Sequence, residues 1–456
     1  MEDEAAVSAV DELGAEGVEL LQRLIQIDTA NPPGNELPAQ ELLAETLADG
    51  GFDCELLGAA PERPNLVARL GGEEPGPTLC LLGHADTVPA DRSEWTFDPW
   101  AGDVVDGQVR GRGAQDMKDQ VAAEVAAAAA LGREGWRPRR GELLVVTTAD
   151  EETGGAAGAQ WLCREHPDKV RSDYVLNEGG GVSFELGGRR FYTLALGERG
   201  VFRFRVHTRG VAGHASTPAL GDNALLKLAP LLERLRRQPA AEPTPEGVAL
   251  LSALSGRELD GDPDRLAAAL EEIRAESPEL AAYLIDPMLR VTLVPTQARA
   301  SEKENVIPSH AEALVDCRVP PGMDESDARE RAVEVLGPPG GDGAEPEGSK
   351  YEIEFVEHVP GNRSPASSPL TEMIEAWLSK ADPGATLVPS VMAGFSDSNW
   401  FRRTFDSALV YGFCPQREMS LVEATPLIHN ADERAATADI GLATRFYRDI
   451  ALAALG

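Results

Sequence analysis

TLCLLGHADTVP, residues 78–89, joins an apolar run to a histidine and a carboxylate. The run reads as a strand, and His84 falls at its C-terminal end, where α/β folds place ligands. Asp86 stands two residues further on. In that spacing a carboxylate can orient the imidazole and fix its tautomer, the usual support for a metal-bound histidine.

Two further strings extend the pattern. GRGAQDMKD (111–119) carries Asp116 in a turn-like stretch ahead of an alanine-rich helix. ADEETGG (149–155) follows the apolar strand LLVVTTA and supplies Glu151 and Glu152. Adjacent carboxylates at a strand end point different ways, so one can ligate metal while the other stays free as a base. Glu178 follows the strand YVLN and precedes three glycines; His429 lies in PLIHNADERA near the C-terminus. Histidines and carboxylates in this number are the ligand chemistry of a two-metal hydrolytic site. GRGAQD contains GxG but lacks the third glycine of a dinucleotide fingerprint, so metal chemistry explains it better.

Around these strings, apolar runs alternate with helical patterns. Leu20, Leu21, Leu24 and Ile25 recur at helical spacing, and a second helix is expected at about 37–50. PNLVARL, TLCLLGH, ELLVVTTA and YVLN read as strands of a central sheet. The character changes near 198. In VFRFRVHTRG (201–210), Phe202, Phe204 and Val206 alternate with Arg203, Arg205 and His207, a half-buried strand. Helices at 222–237 and 324–336 and strands in RVTLVPTQARA, EALVDCRVP and YEIEFVEHV give a ferredoxin-like order. The expected architecture is α/β: a catalytic domain with a central mixed sheet flanked by helices, residues 1–197 and 361–456. It is interrupted by a ferredoxin-like α+β lid at 198–360, itself carrying a helical insertion at about 240–285. GPPGGDGAEPEGS (337–349) reads as a surface loop.

The charge narrows the partners. With 42 basic and 76 acidic residues the net charge is −34, which disfavours nucleic acid and anionic lipid. The excess is spread along the chain and fits a salt-rich cytoplasm, where self-repulsion is screened within about 3 Å at about 1 M salt. An acidic mesophilic protein is the alternative. Five cysteines without a CxxC pair suit a reducing compartment. The acidic N-terminus MEDEAAVSAVDELG lacks the pattern of a signal peptide, and no apolar stretch approaches a membrane span. A cytoplasmic location is therefore expected.

HADTVP, GRGAQDMKD and DEETGG together resemble the three motifs of the dinuclear zinc peptidases that include aminoacylases, acetylornithine deacetylase, succinyl-diaminopimelate desuccinylase and glutamate-releasing carboxypeptidases. The resemblance covers nearly the whole chain. It implies that His84 and Glu178 hold one metal and Glu152 and His429 the other. Asp116 would bridge them, often with a cis peptide to the next residue, here Met117. Glu151 would be the general base for a metal-bridging hydroxide, and Asp86 would buttress His84. His214, in VAGHASTP, matches the lid histidine that stabilises the oxyanion, commonly in a neighbouring subunit's site. Asn305 in ENVIPS and Arg318 in VDCRVPPG match positions that bind the substrate's carboxylate or polar backbone. Asp119 departs from the pattern, standing where the family often has glycine, and GFSDSNW (394–400) matches only loosely.

An isolated His84 would more often be structural, and Glu151–Glu152 alone would read as a solvated helix start. Their conjunction changes both readings. His166, His207, His310 and His358 are assigned surface or structural roles. The expected protein is a homodimeric two-zinc amidohydrolase, with cobalt or manganese able to substitute. Its expected substrates are N-acyl amino acids or small peptides. A biosynthetic deacylase of the acetylornithine or succinyl-diaminopimelate type is the alternative within the class. A non-catalytic metal-binding assembly protein is the alternative outside it.

Overall fold

The computed structural model describes residues 12–339 and 350–456. The first eleven residues of the acidic N-terminal stretch, and most of the loop expected at 337–349, lie outside them. The described chain forms two compact units, one running to Gly197 and resuming over Ser364–Gly456, the other Glu198–Arg363.

The larger unit is built on a mixed sheet. Its strands lie in the order Asp53–Leu57, Asn65–Gly71, Arg140–Thr148, Glu74–His84, Tyr174–Asn177, Leu409–Gly412 and Arg189–Glu198. The four from Arg140–Thr148 to Leu409–Gly412 are mutually parallel. Their apolar runs are almost wholly buried, as parallel strands covered by helices require. Helix Lys118–Arg133 is buried along nearly its full length. Its alanines favour helix and let neighbouring backbones approach closely. A Cβ on Gly132 would come within 1.9 Å of the Gly50 carbonyl oxygen. Helices Glu12–Ile25 and Thr437–Leu455 pack on the same helix. Thr437–Leu455, a helix outside the elements expected from the sequence, joins the main core through its buried face, with Ile440, Phe446, Tyr447 and Ile450.

In the smaller unit, Tyr351–Phe355, Phe204–Arg209, His310–Val319 and Thr292–Arg299 lie side by side and antiparallel. That is the spatial order of a ferredoxin-like sheet. Helices Ala224–Arg234 and Glu325–Leu336 share its core through Leu228, Leu231, Ala328 and Ala332, against Phe204, Val206, Ala313 and Val315. The segment between Ala224–Arg234 and Thr292–Arg299 is helical, with Pro245–Ser255 and Pro263–Glu276 its longest helices. Among the described residues no helix is long and apolar enough to cross a membrane.

Candidate metal centre

The parallel strands end together, and their ends carry the site. His84 pairs in register with Thr148 at the C-terminal end of its strand, just before Glu151 and Glu152. Glu178 directly follows Asn177, which pairs with Gly412 on the next strand. A Cβ on Gly412 would come within 1.9 Å of the Glu178 carbonyl oxygen, so only glycine lets that turn close.

Asp116 sits at the centre. Its Oδ1 lies 3.1 Å from Nε2 of His84, and its Oδ2 lies 3.0 Å from Nε2 of His429. The Asp116–Met117 peptide is cis. Nε2 of His429 is also 3.0 Å from Oε2 of Glu152. Nε2 of His84 is 3.9 Å from both Oε2 of Glu151 and Oε1 of Glu178. Two ligand sets result: His84, Asp116 and Glu178, and Asp116, Glu152 and His429, each offering atoms within 4.8 Å of one another. Asp116 is common to both.

The electrostatics show what such crowding costs. Burial pushes the Glu151 carboxyl well up, and the Glu178 charge adds to it. Burial likewise raises Glu178, with Asp116 adding. Burial pulls the His84 imidazole down, but hydrogen bonds to Asp116 and Asp86 outweigh it and leave the group well above its ordinary value. Hydrogen bonds to Asp116 and Glu152 raise His429 to about 10. A buried group of acids that must take up protons to coexist is one that divalent cations would relieve. The donors are imidazole nitrogen and carboxylate oxygen, which suit zinc and its neighbours. The residues present therefore fit a dinuclear metal centre.

Buried residues hold these groups in place. Asp86 is fully buried, and its carboxylate accepts hydrogen bonds from the backbone N–H groups of Glu151 at 3.1 Å and Glu152 at 3.2 Å. The Asp86 backbone oxygen lies 3.0 Å from Nδ1 of His84, against 3.5 Å for its carboxylate Oδ1. Asp86 thus acts on the imidazole through both groups while fixing the glutamate pair. Glu433 does the same for the loop that carries Asp116. Its carboxylate accepts from Arg112 Nη1 at 2.7 Å and from the backbone N–H groups of Gly113, Gln115 and Asp116 at 3.0, 2.7 and 3.1 Å. Because Glu433 is four residues from His429, it ties the two loops that carry Asp116 and His429. Nothing in PLIHNADERA marks Glu433 for this role, which depends on the fold.

Three further buried residues, none among the expected ones, support the site. Asn31 donates to Asp86 Oδ2 at 2.9 Å and to Asp150 Oδ1 at 3.1 Å. Asp397, within the loosely matching GFSDSNW, is buried and accepts from Thr148 Oγ1, and its charge reaches Glu151 and Glu178. Asn177 donates to Ser398 Oγ at 2.9 Å, pinning that loop to the strand that leads to Glu178. No spacing rule marks these positions. Only tertiary folding brings them to the site.

The remaining expected residues lie in the smaller unit. His214 is exposed in the short strand Gly213–His214, paired with Val306–Ile307. Its Nδ1 accepts from the backbone N–H of Ser216 at 3.2 Å, so the ring proton sits on Nε2. The backbone oxygen of Asn305 accepts from Ala215 N–H at 3.0 Å, which braces the His214 turn. Arg318 donates to Asp316, with Nε at 2.8 Å from Oδ1.

The model of the family described as Peptidase family M20/M25/M40 matches residues 80–453. The chain belongs to this family. A succinyl-diaminopimelate desuccinylase of Xanthobacter autotrophicus is 28% identical over 439 residues, covering 94% of this chain and 96% of the relative. Another of that name, from Phenylobacterium zucineum, is 30% identical over 438 residues, covering 93% and 94%. Among solved structures, an M20 family metallo-carboxypeptidase of Sulfolobus solfataricus superposes with a TM-score of 0.69 at 18% identity, over 96% of this chain and 98% of that one. Human carnosine dipeptidase 1 gives 0.68 at 18% identity, over 98% of both chains. This M20 protein is thus a metal-dependent hydrolase of amide bonds.

Proposed function

We propose that this chain cleaves the amide bond of N-acyl amino acids or small peptides at the Asp116 centre. The observation that carries the reading is the pair of ligand sets sharing Asp116, with Glu151 beside them and supported from Asp86. His84, Asp116 and Glu178 would hold one divalent ion; Asp116, Glu152 and His429 would hold the other. Zinc is the ion that these donors favour, with cobalt or manganese as substitutes. Bound metal would polarise the scissile carbonyl and acidify a water.

Glu151 is then left to move the proton. It is adjacent in sequence to Glu152, and its Oε2 lies 3.9 Å from Nε2 of His84, a position suited to a group that accepts a proton from water and gives it to the leaving amine. Asp86 keeps Glu151 and Glu152 in register through their backbone N–H groups, so base and ligand diverge from a fixed turn. His214, with its proton on Nε2, is a donor suited to the developing oxyanion. The match of VAGHASTP to the lid histidine of the family supports a homodimer in which the partner's copy supplies this donor. All five cysteines are unpaired, in keeping with a reducing cytoplasm.

A second reading has specific support. The relatives named above are succinyl-diaminopimelate desuccinylases, which favours a succinylated diamino acid as the substrate. One comparison tests both. Wild type and Glu151→Gln are assayed on N-acetyl and N-succinyl amino acids, acetylornithine, succinyl-diaminopimelate and dipeptides, with bound metal counted. The variant should retain its metal and lose roughly 10²- to 10⁴-fold in rate. A wild type that binds metal but cleaves none of the panel would overturn the reading.

A further inference from the structure

The outward face of the smaller unit's sheet brings together a second set of metal-ligand atoms, outside the Asp116 centre. His207 stands on Phe204–Arg209, and His310 and Glu312 on the neighbouring His310–Val319. His207 and Glu312 are direct cross-strand partners, and His310 is opposite Arg209. Residues two apart on a strand share a face, so all three side chains meet there.

Nδ1 of His207 lies 3.2 Å from Nε2 of His310 and 3.5 Å from Oε2 of Glu312. The three residues offer ligand atoms within 4.8 Å of one another. Zinc–nitrogen bonds of about 2.0–2.1 Å in a tetrahedron place neighbouring ligand atoms roughly 3.3 Å apart. The pair is already close to that spacing. The outer contacts also suit an ion. Nε2 of His207 is 2.9 Å from Oε2 of Glu354 on the next strand. A proton on Nε2 leaves the Nδ1 lone pair pointing at His310 and Glu312, the tautomer that a carboxylate partner imposes on a metal-bound histidine. Oε1 of Glu312 accepts from Arg205 Nη1 at 3.3 Å, which turns Oε2 towards the imidazole. The His207 and Glu312 side chains are 12% and 19% exposed, shielded yet reachable from solvent.

We propose that His207, His310 and Glu312 form a separate zinc-class divalent metal site on this sheet, with water in the fourth position. Two imidazoles and one carboxylate select zinc, nickel or copper over magnesium and calcium. The ion would cross-link the two central strands of the unit. Without an ion the two rings share a proton, Nε2–H of His310 donating to Nδ1 of His207. With one, His310 takes the tautomer that carries its proton on Nδ1, which frees the Nε2 lone pair for the ion with no net loss of a proton.

The test uses the full-length chain, stripped with a chelator and dialysed to equilibrium against low micromolar free Zn²⁺. Bound zinc is counted by elemental analysis, with folding checked by circular dichroism. Wild type is compared with His310→Gln, His207→Gln and Glu312→Gln, and with Asp116→Asn alone and combined with His310→Gln. The two histidine variants should each hold one zinc fewer than wild type. Asp116→Asn should keep one zinc that the double variant loses, independently of the Asp116 centre. Glu312→Gln keeps both rings and should bind that zinc at least tenfold more weakly. Equal zinc content in wild type and both folded histidine variants overturns the proposal, as does an Asp116→Asn protein that binds none.

Discussion

Asp119→Asn should abolish a specific pH dependence of stability. Asp119 lies in the first turn of the buried helix Lys118–Arg133 and is 5% exposed. Its Oδ2 accepts from Gln416 Nε2 at 3.2 Å, while Oδ1 has no hydrogen-bond partner among the described residues. Burial pushes this carboxyl up to about 8, and the Glu433 and Asp116 charges add to the shift. In the unfolded chain an aspartate titrates near about 3.9. The folded pKa is the higher one, so the folded state holds the proton more tightly. The group's stabilisation is complete below about pH 4 and is lost as pH rises towards about 8. Within that window each pH unit costs about 1.4 kcal/mol. From pH 5 to pH 7 the wild type should therefore lose about 3 kcal/mol relative to Asp119→Asn, which keeps the shape and carries no proton equilibrium. The assay is urea unfolding of the metal-free proteins by circular dichroism at pH 5, 6 and 7 and fixed ionic strength. A stability difference that stays constant across the three pH values would refute the reasoning.

Three further outcomes follow from the geometry. Glu433→Gln leaves the buried Arg112 charge uncompensated and should cost about 3–5 kcal/mol in unfolding free energy, measured by denaturant titration; metal affinity should fall as the Asp116 loop loosens. Asp86→Asn weakens the support of His84 and of the Glu151–Glu152 turn, so metal affinity or activity should drop roughly 10- to 100-fold by metal titration and steady-state assay. His214→Ala should lower kcat by roughly 10²- to 10³-fold with bound metal unchanged, and a parallel loss of metal would show that it acts structurally instead.

His84, Glu151, Glu152 and Glu178 were legible as candidates because they follow apolar strand runs within short strings, whereas Asp116 and His429, on loops, rested on the family resemblance. An apolar run followed by His84, or by Glu151 and Glu152, puts polar groups at the edge of a covered sheet, and local pattern is enough to locate that edge. The small unit was legible for a related reason. Period-two alternation in VFRFRVHTRG marks one buried face, observed as Phe204 and Val206 inside with Arg205 and His207 less buried.

The sequence by itself thus pointed to an α/β layer on a central mixed sheet, a ferredoxin-like insertion and the candidate ligands one by one. The family resemblance implied how they group, and tertiary structure supplied the distances and the supporting residues. It placed Asp116 between His84 and His429, which are 345 positions apart in the chain. It made Glu433 the clasp of the Asp116 loop and brought the Asp397 charge within reach of Glu151 and Glu178. It also set His207 against His310, two histidines that read separately as surface residues. The physical reason is that periodicity reports the face on which a side chain lies. The groups it meets there depend on strand order, register and crossovers, which are set by packing between segments distant in the chain.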